Sequence, residues 1–412
     1  MIFDENYSLR PVPYYARKRT LALGLVLVGL TLFSASMQAG GVVWSGLSTS
    51  DFIWVVFAGN VMLALYAGLL GYIGSTTGLS THLLTHFSFG HKGSWLPSLI
   101  LGGTQVGWFG VGVAMFAIPV SKAIGVDVRI LITVGGLLMV STAYFGISAL
   151  VFLSAIAVPS ILLFGGYSVL CALDTFTVGA LYGELSSIPS KLSTTEALTI
   201  VVGTFISAAT LTADFARFAK NHKKALFVTV LAFLFGNSVM FVFGALSSSS
   251  IGYADLFDAM LAQGLLIPAI VVLGLNVWTT NDNALYVSGL AFSNITQLPS
   301  HRLSVLNGLL GTLFALWLYE HFIEWLHFLS LAIPPIGGVI IADFLMRRHQ
   351  YQDYTGIEFR EVNWFGIYAF VAGIAGGAFL PGVVPVNAVI IAMLSYWMLH
   401  LKPVKVAISR VS

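Results

Sequence analysis

The stretch VGLTLFSASMQAGG, residues 28–41, interrupts the first long hydrophobic run of the chain with small and polar residues: Gly29, Thr31, Ser34, Ser36 and Gln38. A second stretch, VVGTFISAATLTADFARF at 201–218, interrupts the sixth run with Gly203, Thr204, Phe205 and Ser207. Interrupted membrane helices expose backbone groups that can bind ligands, and two of them five spans apart are typical of an inverted repeat. The pattern therefore predicts a five-plus-five inverted repeat in which helices 1 and 6 are broken.

The composition is that of a membrane protein. Of 412 residues, 57% are hydrophobic and 9% are charged, and the mean hydropathy is +0.90, far from the usual soluble composition. About 20 apolar residues suffice to cross a bilayer as a helix. We therefore predict an all-α integral membrane protein with twelve transmembrane helices, the last two added to the repeat. The spans are 21–45, 51–73, 95–121, 129–149, 152–172, 197–216, 225–248, 264–292, 303–320, 323–346, 363–380 and 384–401.

The distribution of basic residues supports this count. With the N-terminus inside, all but three of the 19 Lys and Arg residues fall on the cytoplasmic side; the exceptions are Lys122, Arg129 and Lys191. Such a bias is expected when every span is real. The polar N-terminus does not resemble a signal peptide. We therefore expect a multi-pass protein of the cell inner membrane with both termini in the cytoplasm.

These spans divide the chain into segments without a soluble domain. The predicted units are a cytoplasmic N-terminal tail, the first repeat, the second repeat, helices 11 and 12, and a cytoplasmic C-terminal tail: 1–20, 21–172, 197–346, 363–401 and 402–412. The lipid bilayer is the expected surrounding, and neither nucleic acid nor an obligate protein partner is indicated. The proline and glycine residues of AIPPIGGVIIADF, 332–344, suggest a bendable segment in span ten, hence a gate.

Several chemistries are disfavoured by the residues present. The single cysteine, Cys171, excludes an intrachain disulfide. His82 and His86 have a spacing that metals can use, but no carboxylate lies near them in sequence, so no transition-metal site and no cofactor are expected. Near the cytoplasmic end of span six, Asp214 and Arg217 are three residues apart and are expected to form an interfacial ion pair.

The most polar membrane segment is GLNVWTTNDN, residues 274–283, in span eight. On a helix, Asn276, Thr279, Thr280 and Asn283 share one face. One interpretation is hydrogen bonding between helices; the other is a cation site, because hydroxyl and carbonyl oxygens are hard ligands that suit Na⁺. Asp282 would cost about 2.5–3.5 kcal/mol at the centre of a lipid-facing helix, so it must face protein, water or a cation.

A second polar group lies in span three. Gln105 and Trp108 are three residues apart and share a helical face. An amide beside an indole suits a flat heteroaromatic ligand, which could stack on the ring while the amide binds its edge. The alternative is an indole in the core and an amide bonded to a neighbouring helix.

Four motifs in this order resemble the cytosine permease (purine-cytosine permease) branch of the nucleobase-cation symporter family: LGGTQVGWFGVGVAMFAIP, LTADFARF, GLNVWTTNDNALY and AIPPIGGVIIADF. The resemblance runs from about Pro11 to Leu401. It implies a LeuT-type fold and a secondary transporter, not an enzyme, that takes up cytosine together with a cation.

The resemblance also implies roles for individual residues. Trp108 and Phe205 would sandwich the pyrimidine, Gln105 would bind its edge, and Ser207 with the backbone of Ala208 at the helix 6 break would supply further donors and acceptors. The Na⁺ site would comprise the carbonyls of Gly29, Leu32 and Asn276 and the hydroxyls of Thr279 and Thr280, leaving the Asn276 side chain to touch substrate. Hydantoin-transporting relatives have tryptophan at both stacking positions, so Phe205 suggests a smaller base.

Three alternatives remain at this point. The coupling ion could be H⁺ carried by Asp282 or Asp214, although hydroxyls and carbonyls cannot hold a transported proton near neutral pH. The cargo could be uracil, guanine or allantoin. An intramembrane hydrolase using Asp214 and Asp282 as an aspartyl pair is disfavoured, because the chain lacks the motifs that accompany such a pair.

Overall fold

The computed structural model describes residues 6–174, 192–251 and 255–401, and nearly all of these residues are helical. The predicted C-terminal tail, 402–412, and Lys191 lie outside the described residues. The helices are α1 Thr20–Thr31, α2 Ser34–Gly46, α3 Thr49–Thr77, α4 Thr81–Phe89, α5 Trp95–Ile124, α6 Val128–Ala143, α7 Ile147–Asp174, α8 Thr194–Thr210, α9 Thr212–Ala216, α10 His222–Ala232, α11 Ser238–Ile251, α12 Leu256–Ala262, α13 Leu266–Thr296, α14 Ser300–Leu313, α15 Ala315–Glu320, α16 Phe322–Ala332, α17 Pro334–Arg347, α18 Trp364–Phe379 and α19 Val384–Leu401.

The observed helices follow the predicted spans. Six helical stretches among the described residues are long and apolar enough to cross a membrane, and α1 with α2 forms a seventh, bent span. Of the other predicted spans, three coincide with the shorter helices α6, α8 and α18, the ninth coincides with α14 and α15, and the eighth coincides with the long continuous helix α13. The chain is therefore a multi-pass membrane protein, whereas the count of twelve crossings and the segment boundaries stay predictions.

The break predicted in the first span is present. Helix α1 ends at Thr31, Leu32 and Phe33 are not helical, and α2 then leaves at an angle of 49°. The Thr31 hydroxyl lies 3.0 Å from the carbonyls of both Leu27 and Ala232, so it fixes the end of α1 against α10. The side-chain bond to a carbonyl one turn earlier is a common device at a helix bend.

The sixth span is also interrupted, but one turn later than predicted. Residues 203–208 are continuous helix, and the interruption falls at Leu211, between α8 and α9. The expected break near Gly203 and Ser207 is wrong because Thr204 returns its hydroxyl to the Ile200 carbonyl at 2.6 Å. Thr204 thus satisfies its hydroxyl inside the helix, and it is Thr212, bonded to the Ala209 carbonyl at 2.8 Å, that follows the interruption.

Glycine residues permit very close helix contacts, as the glycine-rich composition suggests. Where α2 crosses α11, a Cβ atom on Gly40 would collide with the backbone of Phe241, and one on Gly244 would collide with the backbone of Met37. Helices that approach this closely gain van der Waals packing that a lipid environment does not otherwise provide. This crossing holds α2, the part of the broken helix that follows the break, against α11.

Span ten has a one-residue interruption at Ile333, which keeps helical backbone angles, so the stretch from Phe328 still runs on as one span. Helix α16 ends at Ala332, and α17 begins at Pro334 after Ile333. Proline fits the first helical turn because its missing N–H is not needed there. The structure thus places a junction where the sequence suggests a bend, and the role of this junction as a gate stays a prediction.

Candidate functional site

A small cavity of about 30 Å³ lies beside the break in helix 1. Its walls come from α1, α5, α8 and α13 and include Leu30, Phe33, Gln105, Trp108, Thr204, Phe205, Ser207, Ala208, Thr280 and Ala284. Five of the six predicted substrate residues therefore line one cavity, although they are separated by up to about a hundred positions in the chain. The sixth, Asn276, does not line it.

Three aromatic rings form one side of the cavity. Phe33, directly at the helix 1 break, meets Trp108 edge to face at 6.1 Å between ring centroids and Phe205 in the same manner at 6.5 Å. Aromatic pairs favour this edge-to-face arrangement. Phe33 was not predicted as a site residue, although its position immediately after the interrupted turn was a usable signal.

Two polar side chains of the cavity wall form a hydrogen bond between helices α5 and α8. The side-chain amide of Gln105 donates from Nε2 to Ser207 Oγ at 3.0 Å, and both side chains are largely buried. Ala208 lines the cavity but lies within α8, not at a break as expected, and its carbonyl accepts from the N–H of Leu211 at 3.1 Å; contact of its backbone with substrate stays a prediction. Gln105 and Ser207 thus present an amide and a hydroxyl to the cavity.

The predicted cation ligands meet next to this cavity. Thr279 Oγ1 lies 3.5 Å from the Gly29 carbonyl and 2.9 Å from the Asn276 carbonyl, and Thr280 Oγ1 lies 3.2 Å from the same Asn276 carbonyl. The Leu32 carbonyl joins the group through the Asn276 side chain. These atoms are all neutral oxygens, a donor set that fits a hard monovalent cation such as Na⁺.

The Asn276 side chain bridges the helix 1 break. Its Nδ2 donates to the Leu32 carbonyl, while its Oδ1 accepts from the Ser34 N–H at 3.1 Å and from Ser34 Oγ at 3.0 Å. The side chain is thus engaged at the break instead of facing the cavity, and its contact with substrate stays a prediction. A broken helix leaves backbone groups without helical partners, and in a lipid environment a neighbouring side chain has to satisfy them.

Two further polar residues of α13 bind neighbouring helices, whereas Asn283 donates to the Thr279 carbonyl of its own helix at 2.8 Å. Asn281 donates to the Phe109 carbonyl at 3.1 Å, and Asp282 Oδ1 lies 2.8 Å from the hydroxyl of Thr142, which also accepts from the Trp278 indole at 2.7 Å. Among the described residues, Asp282 Oδ2 has no hydrogen-bond partner. The polar segment of span eight thus contains both a candidate ion site and interhelical hydrogen bonds, as its two interpretations proposed.

The ion pair expected between Asp214 and Arg217 is not formed. Arg217 donates from Nε to the Asp214 backbone carbonyl at 3.1 Å and from its terminal nitrogens to the carbonyls of Asn6 and Tyr7 at 2.6 and 2.9 Å. Asp214 Oδ1 instead accepts from the N–H of Thr81 at 3.0 Å, at the start of α4. Both side chains are fully buried, so tertiary partners far away in sequence decide their contacts.

The two histidines of α4 also have partners. His82 Nδ1 lies 3.2 Å from Ser98 Oγ, and His86 lies 2.8 Å from Asn294 Oδ1 through Nε2 and 2.9 Å from the Tyr354 hydroxyl through Nδ1. Burial, with smaller contributions from neighbouring positive groups, lowers the pKa of His82 to about 3; burial lowers that of His86 to about 4. In the described part of the chain no group of three metal-binding side chains occurs.

A family model described as a permease for cytosine/purines, uracil, thiamine and allantoin matches residues 11–405. The chain belongs to this permease family. The cytosine permease of Escherichia coli strain K12 is 59% identical over 398 residues, which cover 96% of this chain and 94% of that protein. The relatives are permeases, and the chain is accordingly a membrane transporter and not an enzyme.

Solved structures show the same fold. Mhp1, a nucleobase-cation-symport-1 family transporter solved closed with bromovinylhydantoin bound, superimposes with a TM-score of 0.80 at 20% identity, covering 94% of this chain and 93% of that one. A Na⁺-coupled sialic acid symporter in a substrate-bound outward-open state gives 0.70 at 13% identity, covering 93% and 90%. The predicted all-α LeuT-type transporter fold is thereby confirmed.

Proposed function

We propose that this permease imports cytosine across the cell inner membrane by symport with Na⁺, using alternating access, with both termini in the cytoplasm. The observation that carries the proposal is the position of Thr280. Its side chain lines the aromatic cavity and its hydroxyl contacts the Asn276 carbonyl of the candidate cation site. Substrate and ion would therefore bind against opposite sides of the same residue.

The residues of the cavity wall suit a small planar substrate with polar edges. Trp108 and Phe205 offer aromatic surfaces, and the Gln105 amide and Ser207 hydroxyl offer both donors and acceptors. A pyrimidine with an exocyclic amine and a ring carbonyl needs this combination of stacking and paired hydrogen bonds. The 59% identity to the cytosine permease of Escherichia coli favours cytosine over uracil, guanine or allantoin.

The oxygen donor set supports Na⁺ as the coupling ion. A cation held by Gly29 and Leu32 of helix 1 together with Thr279 and Thr280 of α13 would fix the two halves of the break at one distance from α13. Because Phe33 and Leu30 belong to the cavity wall, this would also fix the shape of the substrate cavity. A coupling free energy of about 1–3 kcal/mol is typical of such linked sites.

The energetics permit uphill transport. One Na⁺ moving down a potential of about 100 mV supplies about 2.3 kcal/mol. At about 1.4 kcal/mol per tenfold concentration ratio, this supports roughly fifty-fold accumulation of a neutral base.

Proton coupling is the second candidate. Asp214 and Asp282 are fully buried, and within the described residues each has one carboxylate oxygen without a hydrogen-bond partner. Neither carboxylate lines the cavity, so a proton on either would have to act on the substrate indirectly. The oxygen cluster beside Thr280 makes Na⁺ the better supported ion.

The test is equilibrium binding of cytosine to the purified protein in Na⁺ and in choline, at fixed pH and ionic strength. Tighter binding in Na⁺ supports both cargo and ion, and Thr280→Ala should then raise the Na⁺ requirement roughly tenfold. Thr296→Ala is the matched control, because that hydroxyl bonds the Phe292 carbonyl at 2.8 Å at the exposed end of the same helix. Binding that ignores Na⁺ but varies with pH would favour proton coupling, and absence of cytosine binding would refute the cargo.

A further inference from the structure

A third helix approaches the candidate cation site at Gly29. Ser154, on α7, is 1% exposed, and a Cβ atom on Gly29 would lie 2.9 Å from Ser154 Oγ. On α13, Thr279 Oγ1 lies 3.5 Å from the carbonyl of the same glycine. Gly29 therefore lies between hydroxyls from two different helices, and the absence of a side chain is what allows the Ser154 hydroxyl to come this close.

The Ser154 hydroxyl differs from that of another serine on its own helix. Ser160, six residues later, donates to the Ile156 carbonyl at 2.8 Å, the usual solution for a serine in a membrane helix. For Ser154, no hydrogen bond occurs within the described ranges. Ala157 and Val158, one turn further along α7, are buried and apolar. A hydroxyl on a side chain this deeply buried is normally hydrogen-bonded, and a cation bound beside Gly29 would supply Ser154 with a polar partner.

We propose that Ser154 Oγ is a further ligand of the coupling cation, contributed by α7 to the site formed by helix 1 and α13. This inference rests on the Na⁺ coupling proposed above and adds a residue to that site. Hydroxyl oxygen is the same hard donor type as Thr279 and Thr280. Ser154 does not line the substrate cavity, so it acts on cytosine binding through the ion alone.

With this ligand, the ion would also fix the position of α7. Helix α7 packs against both α1 and α13, but it contributes no residue to the cavity wall. An ion bound by all three helices would hold α7 against the break, and its departure would release α7 from that contact. The ion would then control the position of a helix that the substrate does not touch.

The test is a Na⁺ titration of cytosine binding by Ser154→Ala and Ser154→Cys. The cysteine variant keeps the volume of the side chain and replaces a hard oxygen by a soft sulfur, so it addresses ligation with little effect on packing. Both variants should raise the half-saturating Na⁺ concentration by roughly two- to tenfold. Cytosine affinity at saturating Na⁺ should stay within about twofold of the wild-type value, which also shows that the variants are folded.

Ser160→Ala is the control, and its Na⁺ titration should match the wild type. If the wild type needs Na⁺ and both Ser154 variants titrate as it does, the ligand assignment is wrong while the proposed coupling stands. If cytosine binding to the wild type ignores Na⁺, the coupling itself is wrong and the Ser154 ligand is rejected with it.

Discussion

Replacement of Asn276 by alanine should both destabilise the fold and disturb Na⁺ dependence. The side chain makes three hydrogen bonds across the helix 1 break, to the Leu32 carbonyl and to the N–H and hydroxyl of Ser34. It is 1% exposed, so water cannot replace these contacts. Loss of the side chain leaves the two backbone groups at the break without this partner.

The expected cost follows from these contacts. Hydrogen bonds between membrane helices average about 0.6 kcal/mol, whereas a buried polar group left without a partner costs about 1–3 kcal/mol. Loss of three bonds, with two backbone groups left unpaired, should therefore lower the free energy of unfolding by about 2–4 kcal/mol. Because the Leu32 carbonyl is a proposed cation ligand, the half-saturating Na⁺ concentration should also rise, by roughly tenfold or more.

Asn281→Ala is the matched control. Asn281 is equally buried on the same helix, but its amide bonds the Phe109 carbonyl on α5, away from the break. Denaturant titration in mixed micelles should show that both variants are destabilised, whereas the Na⁺ titration of cytosine binding should shift for Asn276→Ala alone. An equal shift in both variants, or none in Asn276→Ala, would refute the bridging role.

Three further results are expected. Phe205→Ala removes one aromatic wall of the cavity, and because base stacking contributes about 1–3 kcal/mol, cytosine affinity measured by calorimetry should fall by roughly fivefold or more; unchanged affinity would place the base elsewhere. Asp343→Ala removes a fully buried carboxylate that accepts from the Tyr396 hydroxyl at 2.6 Å and pairs with Arg347. The free energy of unfolding should therefore fall by about 3–5 kcal/mol, and an unchanged denaturation midpoint would contradict this. The pKa values of about 3 for His82 and about 4 for His86 lie below the ordinary 6.5. Between pH 6.5 and 4 the unfolded chain therefore binds more protons than the folded one, and stability should fall as the pH falls. The melting temperature of His86→Gln should depend less steeply on pH than that of the wild type, and an equal dependence would show that His86 is not the cause.

The sequence predicted the membrane helices and the first break well, because both depend on local composition. A run of apolar residues predicts a membrane span, and the cluster of small and polar residues near Leu32 predicts a helix break, whatever the neighbouring helices are. The second break was placed one turn early, near Gly203, because sequence does not show whether a polar side chain satisfies itself. Thr204 does so within its helix, whereas the interruption falls at Leu211.

The candidate site was predicted where spacing along one helix decides it. Gln105 and Trp108 share a helical face, and both line the cavity. Residues whose role depends on another helix were missed or misjudged, because sequence alone gives no distance between helices. Phe33 meets rings on α5 and α8, and Arg217 bonds the N-terminal carbonyls of Asn6 and Tyr7 instead of Asp214.

The break in helix 1 gives a short physical route for coupling ion and substrate. Leu32 presents its carbonyl to the oxygen cluster, and the next residue, Phe33, presents its ring to Trp108 and Phe205. A shift of this peptide unit therefore moves both the Leu32 carbonyl beside the oxygen cluster and the Phe33 ring beside the cavity. Coupling requires an element with two arrangements that both ligands bias, and under the proposed function the two non-helical residues, held by the Asn276 bridge, would be that element. Under the proposed function, no longer pathway through the protein would be required to make cytosine and Na⁺ bind interdependently.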